Sequence, residues 1–131
     1  MIQTKELMLG NWVYESERSK FPMKVVSIDT NTVYLDFEGN EGDVFDGKES
    51  DIYPIPLTKE ILLKNKFKKG EYYQNINSYR YVYNEDSRFF DVLIFGTKDS
   101  YIIEACNFRL KYVHQLQCLL NFCGIEIDFK I

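Results

Sequence analysis

His114 is the only histidine in the chain, and it precedes Cys118 by four residues, so the two side chains are neighbours if the segment is helical. A cysteine nucleophile with a histidine base is the chemistry that this pair suggests. That chemistry also needs a group that orients the base and an oxyanion pocket. On a helix, both side chains would lie on the outward side, where neither requirement is met. We therefore predict no catalytic residue and expect that the protein is not an enzyme.

The three cysteines, Cys106, Cys118 and Cys123, do not have the spacing of a zinc site. Structural zinc is usually held by two pairs of closely spaced ligands, whereas 11 and 4 residues separate these cysteines. The acidic stretch EGNEGDVFDGKESD offers oxygen ligands but lacks the residue order of a calcium-binding loop, and a solvated hairpin loop is the better interpretation. We predict neither a metal site nor a cofactor.

The cysteine count and the N-terminal residues indicate the compartment. An odd number of cysteines cannot all pair within the chain, which favours a reducing environment. The first residues, MIQTKELMLGNWVY, have charges where a signal peptide has an apolar core. No apolar run approaches the ~20 residues that span a bilayer. These features predict a cytoplasmic protein with no membrane partner.

The composition indicates a strand-rich folded protein. The 131 residues are enough for one domain or two very small ones that share a core, and 45% of them are hydrophobic, which excludes a disordered chain. Aromatic residues make up 16%, a bias that favours strands over helices. Residues 1–55 carry 5 basic and 11 acidic residues, a net charge of −6, whereas residues 56–131 carry 11 and 9, a net charge of +2. This asymmetry indicates two modules.

Residues 1–55 are predicted to form a small SH3-like β-barrel. Five short segments have the composition of strands and are separated by turn residues: NWVY, MKVVSID, TVYLDFE, GDVF and DIYPI. The residues from Asp29 to Thr32 predict a tight hairpin turn between the second and third strands. Trp12, in the first segment, has two interpretations. It could plug the barrel, or its ring could stack on a base or a peptide.

Residues 56–131 are predicted to form an α+β module that shares a core with the first, so the fold class of the whole chain is α+β. A short helix is expected to begin after Thr58, a favourable N-cap residue, and to end at Asn65, which can adopt the left-handed conformation found at helix ends. Three antiparallel strands, a C-terminal helix and a closing strand are expected to follow. Their sequences are YRYVY, FFDVLIF, SYIIEA, residues 112–123 and IEIDFKI.

The C-terminal helix is predicted to lay one apolar stripe, centred on Leu116, on the sheet of the second module. Its outward side would carry polar residues together with Phe122, an apolar side chain that needs a partner or a second layer there. We therefore predict a non-enzymatic binding or accessory protein whose partner is another protein. The candidate binding residues are Trp12, His114, Gln115, Gln117 and Phe122.

A weak nucleic-acid-binding protein that uses the second half of the chain is the alternative interpretation. Tyr79, Tyr81 and Tyr83 alternate along one predicted strand and could stack on bases. Arg80 and four lysines between residues 64 and 69 supply positive charge, but this basic patch is modest. A protein partner is therefore favoured, and the sequence specifies neither its identity nor the oligomeric state. An enzyme is the third interpretation, and a deep pocket lined with convergent polar groups would support it.

Three segments of the sequence stand out as motifs: LGNWVY, PIPLTKEILLKNKF and LKYVHQLQCLLNFCGIEI. Together they resemble a family of small uncharacterised proteins that are encoded in Bacteroidetes genomes and in their phages or mobile elements. The sequence departs from this family at Cys118, where Asn is usual, and at Lys66, where the helix end often has Gly. The resemblance implies no activity, cofactor or catalytic residue. It implies a bacterial cytoplasmic accessory protein of phage or mobile-element origin.

Overall fold

The computed structural model describes residues 2–18, 20–37, 45–48, 51–70, 77–81, 92–97, 99–104 and 106–131. The chain divides into two compact units. Unit 1 contains Met1–Pro56 and Tyr112–Cys123, and unit 2 contains Leu57–Lys111 and Gly124–Ile131. Each unit combines an antiparallel sheet with a short helix, so the predicted α+β class is confirmed.

Unit 1 is built on a five-stranded antiparallel sheet. Its strands are β1 (Trp12–Tyr14), β2 (Pro22–Ile28), β3 (Thr32–Asp36), β4 (Phe45–Lys48) and β5 (Tyr53–Pro54). They lie in the order β4-β3-β2-β1-β5. A 3-10 turn, Thr4–Glu6, precedes the sheet, and helix α2 (Val113–Phe122) completes the unit.

Alternating side chains explain how this sheet forms a core. Met23 and Val25 of β2 are buried, and the intervening residue is only partly so, as the two-residue period of a strand requires. The core cluster of the unit consists of Ile2, Leu7, Val13, Met23, Val25, Val33, Leu35 and Ile52. The predicted turn between β2 and β3 is confirmed, because the Asp29 N–H donates to the Thr32 carbonyl oxygen at 2.9 Å.

The first sheet is open. Strands β4 and β5 are its two edges, and no pairing joins them in the part of the chain that the structure describes. The predicted closed barrel is therefore not confirmed. Four of the five predicted strands contain or closely overlap an observed strand. The fifth, residues 42–45, and the acidic stretch that includes it lie mostly outside the described residues.

Unit 2 contains helix α1 (Lys59–Lys64) and a second five-stranded antiparallel sheet. The strands are β6 (Phe67–Gly70), β7 (Ser78–Tyr81), β8 (Val92–Gly96), β9 (Tyr101–Ile103) and β10 (Arg109–Leu110), in the order β10-β9-β8-β7-β6. Strands β7, β8 and β9 lie within the predicted strands or overlap them, whereas Tyr83 lies outside the described residues. The sequence predicts neither β6 nor β10, because the segments FKKG and RL are too short or too basic to show apolar alternation.

The two faces of the second sheet differ in composition. One face, which we call the inner face, is mostly buried. Seven of its residues are at most 8% exposed, namely Phe67, Tyr79, Tyr81, Val92, Ile94, Ile103 and Leu110, whereas Lys69 is exposed and Tyr101 is partly exposed. Burial raises the pKa of the Tyr79 phenol on this face, and the negative charge of Glu60 in helix α1 raises it further. The opposite face, which we call the outer face, is mixed: Ser78 and Leu93 are buried, whereas the other side chains are partly or fully exposed, namely Lys68, Arg80, Phe95, Ile102 and Arg109.

Helix α1 begins and ends at the predicted residues, but the backbone conformation at its C-terminal end differs from the prediction. The Thr58 hydroxyl oxygen accepts from the Ile61 N–H at 3.3 Å, so the predicted N-cap is confirmed. Asn65 is not the left-handed residue, because its φ is −102° and the φ of the next residue, Lys66, is 67°. The predicted end of the helix at Asn65 is confirmed, since Asn65 is the C-cap residue, but the predicted left-handed conformation occurs one residue later. The side chain of Asn65 makes hydrogen bonds that hold the C-terminal residues of unit 2.

Replacing Lys66 with glycine is expected to raise the free energy of unfolding by about 1 kcal/mol. A left-handed φ is strained for a residue with a Cβ atom, and glycine removes that strain. Lys66→Ala is the matched control, because it removes the same side chain but keeps the Cβ atom, and it should give no gain. Urea denaturation measures the change. Equal stabilities of the glycine and alanine variants would contradict the prediction.

The predicted closing strand, residues 125–131, is not a strand. The alternation of the sequence still places apolar side chains in the interior, because Ile125 and Phe129 are each 5% exposed. Asn65 takes the place of a partner strand. Its Oδ1 accepts from the Lys130 N–H at 2.7 Å, and its Nδ2 donates to the Lys130 carbonyl oxygen at 2.7 Å. One side-chain amide thus satisfies both backbone groups of Lys130, which need no hydrogen bonds to a neighbouring strand.

Helix α2 departs from the predicted modules, residues 1–55 and 56–131, because it belongs to unit 1 with the N-terminal strands. The Val113 N–H donates to the Ile55 carbonyl oxygen at 2.9 Å, and Pro56 and Tyr112 form an isolated antiparallel bridge. The apolar stripe of the helix could not reveal this placement. An amphipathic helix buries its stripe equally well against either of two sheets.

Candidate binding surface

Helix α2 carries four of the five candidate binding residues, and Gln115 has a structural role at its start. The backbone N–H of Tyr112, the residue before the helix, donates to Gln115 Oε1 at 3.2 Å. An amide at the third helical position commonly satisfies a backbone donor at a helix start in this way. Gln115 therefore helps to fix where α2 begins.

His114 is buried, whereas the helical pattern predicts an outward position. The side chain is 2% exposed, and its ring stacks on that of Tyr112 with centroids 5.9 Å apart and planes inclined by 11°. Neither ring nitrogen has a hydrogen-bond partner within the described ranges. Burial lowers the pKa of the imidazole to about 4, so the ring is neutral at pH 7. His114 cannot belong to an exposed binding surface.

Gln117 joins α2 to the chain at the start of β1. Its Oε1 accepts from the Trp12 N–H at 2.8 Å, and its Nε2 donates to the Gly10 carbonyl oxygen at 3.0 Å. The φ of Gly10 is 87°, a conformation that favours glycine, so this residue type allows the turn that presents the carbonyl group. Both partners of Gln117 lie in the same chain, and its amide therefore fixes the helix rather than a ligand.

Cys118 does not form a reactive pair with His114. Its Sγ lies 3.5 Å from Asn11 Oδ1 and 3.8 Å from the Glu6 carbonyl oxygen. Burial raises the pKa of the Cys118 thiol, and the hydrogen bond to Asn11 lowers it by less. A thiol with a raised pKa and no hydrogen-bonded base is a poor nucleophile at pH 7. The geometry supports no cysteine chemistry at this position.

Trp12 is half-buried in β1 and is engaged within unit 1. Lys24 lies directly opposite it on β2, and the Lys24 Nζ is 5.1 Å from the centroid of the indole ring. A cation at this distance occupies one face of the ring, which is a face that a base or a peptide would use. The contacts favour the interpretation of Trp12 as part of the sheet.

Two apolar side chains of unit 1 are strongly exposed. One lies on helix α2 and the other between Glu6 and Asn11, the two residues that the Cys118 thiol contacts. Phe122, one turn after Cys118 on the same side of α2, is 91% exposed, and Leu9 is 65% exposed. Leu9 lies in a turn that Asn11 orders, because Asn11 Oδ1 accepts from the Met8 N–H at 2.8 Å. We call Leu9, Cys118 and Phe122 the Phe122 surface. The sequence prediction includes neither Leu9 nor Asn11, although both lie in or beside the LGNWVY motif.

Within the described part of the chain, no three His, Cys, Asp or Glu side chains lie close enough together to hold a metal ion. None of the helices there has the length and apolar character needed to cross a bilayer. Comparisons with protein-family models, with curated proteins and with solved structures found no match. The resemblance carried by the three motifs therefore stays a prediction. The fold is that of an α+β protein with two antiparallel sheets, and most of the candidate residues of helix α2 make contacts within unit 1.

Proposed function

We propose that this chain is a non-enzymatic accessory protein that acts by binding another protein through the Phe122 surface. One observation carries the proposal: Phe122 is 91% exposed on a helix whose other candidate residues are engaged within the chain. Exposed aromatic rings are common anchors of protein interfaces, because a partner's pocket removes a large apolar area from water. The other four candidates, including His114 and Gln117, support the fold that presents this ring.

The charge of the N-terminal residues indicates the chemistry of the partner. Residues 1–55 carry a net charge of −6, and α2 has no Asp, Glu, Lys or Arg. Leu9 and Phe122 would enter an apolar pocket, and the net negative charge of residues 1–55 favours a partner whose pocket has a rim of opposite charge. The expected partner is a protein with an apolar pocket bordered by Lys and Arg.

Two further features support an accessory role in the bacterial cytoplasm. The three cysteines are free, and Cys106 and Cys123 are exposed, a state that a reducing compartment maintains. The three motifs resemble small proteins of Bacteroidetes, their phages and mobile elements, and this resemblance supports the same location.

We also propose that the first sheet is a variant of an SH3-like barrel. Strands β1 to β4 follow one another as a meander, and β5 returns to pair with β1, which is the strand order of such barrels. The register of β2 shifts between Val25 and Ser27. A bulge of this kind bends a strand and turns a flat sheet toward closure.

Phe122→Ser is expected to reduce capture of the partner at least about tenfold, because the variant loses the anchoring ring. The tagged chain is used to capture proteins from a lysate of its native host, and the captured amount is measured. Leu63→Ser is the matched control, since Leu63 is also an apolar helical residue and is 45% exposed, but it lies on α1 in unit 2. The control should capture as much as the wild type.

Thermal unfolding of both variants checks that the serine has not damaged the fold. A partner that Phe122→Ser retains as well as the wild type does would contradict the proposal. Sedimentation velocity of the purified chain separates a different protein from a second copy. A dimer that is lost in Phe122→Ser would mean that the surface binds the chain itself.

A further inference from the structure

Two tyrosines of the first sheet lie side by side on neighbouring strands. Tyr14 of β1 is directly opposite Tyr53 of β5, and both side chains are half-buried. Each follows a fully buried core residue, Val13 and Ile52, so both tyrosines lie on the side of the sheet that faces away from the core. Directly opposed residues have Cβ atoms about 5 Å apart, so one group can contact both rings.

This side of the first sheet is open in the described part of the chain. Its strand residues are all partly exposed or exposed: Trp12, Tyr14, Pro22, Lys24, Thr32, Tyr34, Asp36 and Tyr53. One cation already lies against a ring here, since the Lys24 Nζ is 5.1 Å from the centroid of the Trp12 indole. The contact between a cation and an aromatic ring is therefore a stable arrangement on this side of the sheet.

A carboxylate lies beside the tyrosine pair. The Tyr53 hydroxyl donates to Glu17 Oε2 at 3.5 Å, and Glu17 is exposed. This distance is long for a hydrogen bond between oxygens, so the contact is weak. Within the described residues, Glu17 makes no ion pair. A cation that reached Glu17 would therefore displace no existing partner charge.

Two phenol rings with a carboxylate beside them suit a guanidinium group. This group is planar, so its face can stack on a ring while its N–H groups donate to the carboxylate. A lysine ammonium has no flat face and holds its water more strongly, so it fits such a site less well. The net charge of −6 on residues 1–55 attracts a basic segment over a longer range, although Arg18 and Lys20 balance the acidic residues of the loop itself.

We propose that Tyr14, Tyr53 and Glu17 form a binding site for an arginine side chain on a basic segment of another protein. We call these three residues the Tyr53 site. The site goes beyond the proposed function, because it shares no residue with the Phe122 surface and takes a cation instead of an apolar pocket. A single side chain contributes most of the contact, so the affinity for an isolated peptide is low.

Nuclear magnetic resonance tests the site on the isotope-labelled full chain. The probe is a peptide of ~10 residues that contains two arginines among glycines and serines, at about 20 mM salt. We expect a Kd on the order of 1 mM, with the largest shifts at the amides around Tyr14, Glu17 and Tyr53. The same peptide with lysines should bind at least about threefold more weakly, and a glutamine version should show no binding.

Tyr53→Thr should weaken binding of the arginine peptide about fivefold, because it removes one of the two rings and keeps a residue that favours strands. Tyr34→Thr is the matched control. Tyr34 is also a half-buried tyrosine on the same side of the sheet, but it lies on β3, two strands away from β1. The control should change the Kd by at most about twofold.

Glu17→Gln tests the carboxylate and keeps the experiment decisive if Tyr53→Thr does not fold. This variant should weaken binding about fivefold and reduce its dependence on salt, because it removes the charge that the guanidinium contacts. Glu6→Gln is the matched control, since it removes an equal charge from another exposed residue of unit 1. Its Kd should stay within about twofold of the wild type.

The site is overturned if the arginine peptide produces no shifts at about 10 mM, or if the lysine peptide binds equally well. Equal effects of the two tyrosine variants, or of the two glutamate variants, would also overturn it. Shifts centred on Leu9 and Phe122 would mean that the peptide binds the Phe122 surface instead. The capture experiment with Phe122→Ser is independent of all these results.

Discussion

Replacing Asn65 with leucine is expected to lower the free energy of unfolding by about 2 kcal/mol. The Asn65 side chain is 3% exposed and donates to the Ile61 carbonyl oxygen at 2.8 Å, besides its two hydrogen bonds to the Lys130 backbone. Leucine has a similar volume but no polar atom, so the Lys130 N–H and carbonyl group would lose their amide partner. Urea denaturation followed by circular dichroism measures the loss.

Asn121→Leu is the matched control for this change. Asn121 is an exposed residue of α2, so the same substitution removes no buried hydrogen bond there and should change stability by less than about 0.5 kcal/mol. Hydrogen exchange gives an independent readout, because the Lys130 amide should exchange faster in Asn65→Leu than global unfolding explains. Equal stabilities of the two variants would contradict the role assigned to Asn65.

The wild-type protein should lose about 2 kcal/mol of stability between roughly pH 7.5 and pH 5 because of His114 alone. Burial lowers the pKa of this imidazole to about 4 from an ordinary value of 6.5, so the unfolded chain binds the proton more readily than the folded chain does. The stability is therefore fully present above pH 6.5, falls as the pH drops, and is lost once the pH is below about 4.

His114→Phe keeps an aromatic ring against Tyr112 but cannot be protonated, so its stability should change little over the same interval. Urea denaturation at several pH values compares the two proteins. Because the chain contains one histidine, no other imidazole adds to the difference. Stability curves that run parallel from pH 7.5 to pH 5 would mean that His114 is accessible to protons in the folded state.

The burial of His114 shows where helical periodicity fails as a predictor. The buried residues of α2 are Val113, His114, Leu116 and Leu120. Together with Gln117, which bonds to the Trp12 and Gly10 backbone, they cover an arc of about 160°. Hydropathy centres the stripe on Leu116, because it counts glutamine as polar and cannot know that Gln117 has backbone partners in β1. The true arc is centred closer to Gln117, and it is wide enough to include His114.

Features that depend on a few adjacent residues could be predicted reliably from the sequence. The Thr58 cap, the turn from Asp29 to Thr32 and the alternation of β2 and β3 each depend on a few adjacent residues, and the structure contains all three. Strand β6 and the residues 125–131 depend on distant partners instead. FKKG becomes a strand because β7 pairs with it, and IEIDFKI does not become one because the Asn65 amide satisfies its Lys130 backbone.

The candidate binding surface was predictable only in part, for the same reason. Phe122 could be identified because an apolar residue on a polar side is visible in the sequence itself. Gln115 and Gln117 could not be distinguished from surface residues, since the sequence shows a glutamine whether its amide bonds to the backbone or faces water. Only the positions of Gly10, Trp12 and Tyr112 distinguish the two cases.

The chain passes between the two units after residues 56, 111 and 123, and this path has a consequence for synthesis on the ribosome. The strands of unit 1 emerge first, but α2 emerges only after the strands of unit 2, and the hydrogen bond from Trp12 to Gln117 joins residues 105 apart. Until α2 emerges, the backbone groups of Gly10 and Trp12 lack their Gln117 partner, so this part of unit 1 cannot be completed. Unit 1 is therefore completed only when α2 has been synthesised. Because each unit consists of two separate stretches of the chain, no single cut separates the two units.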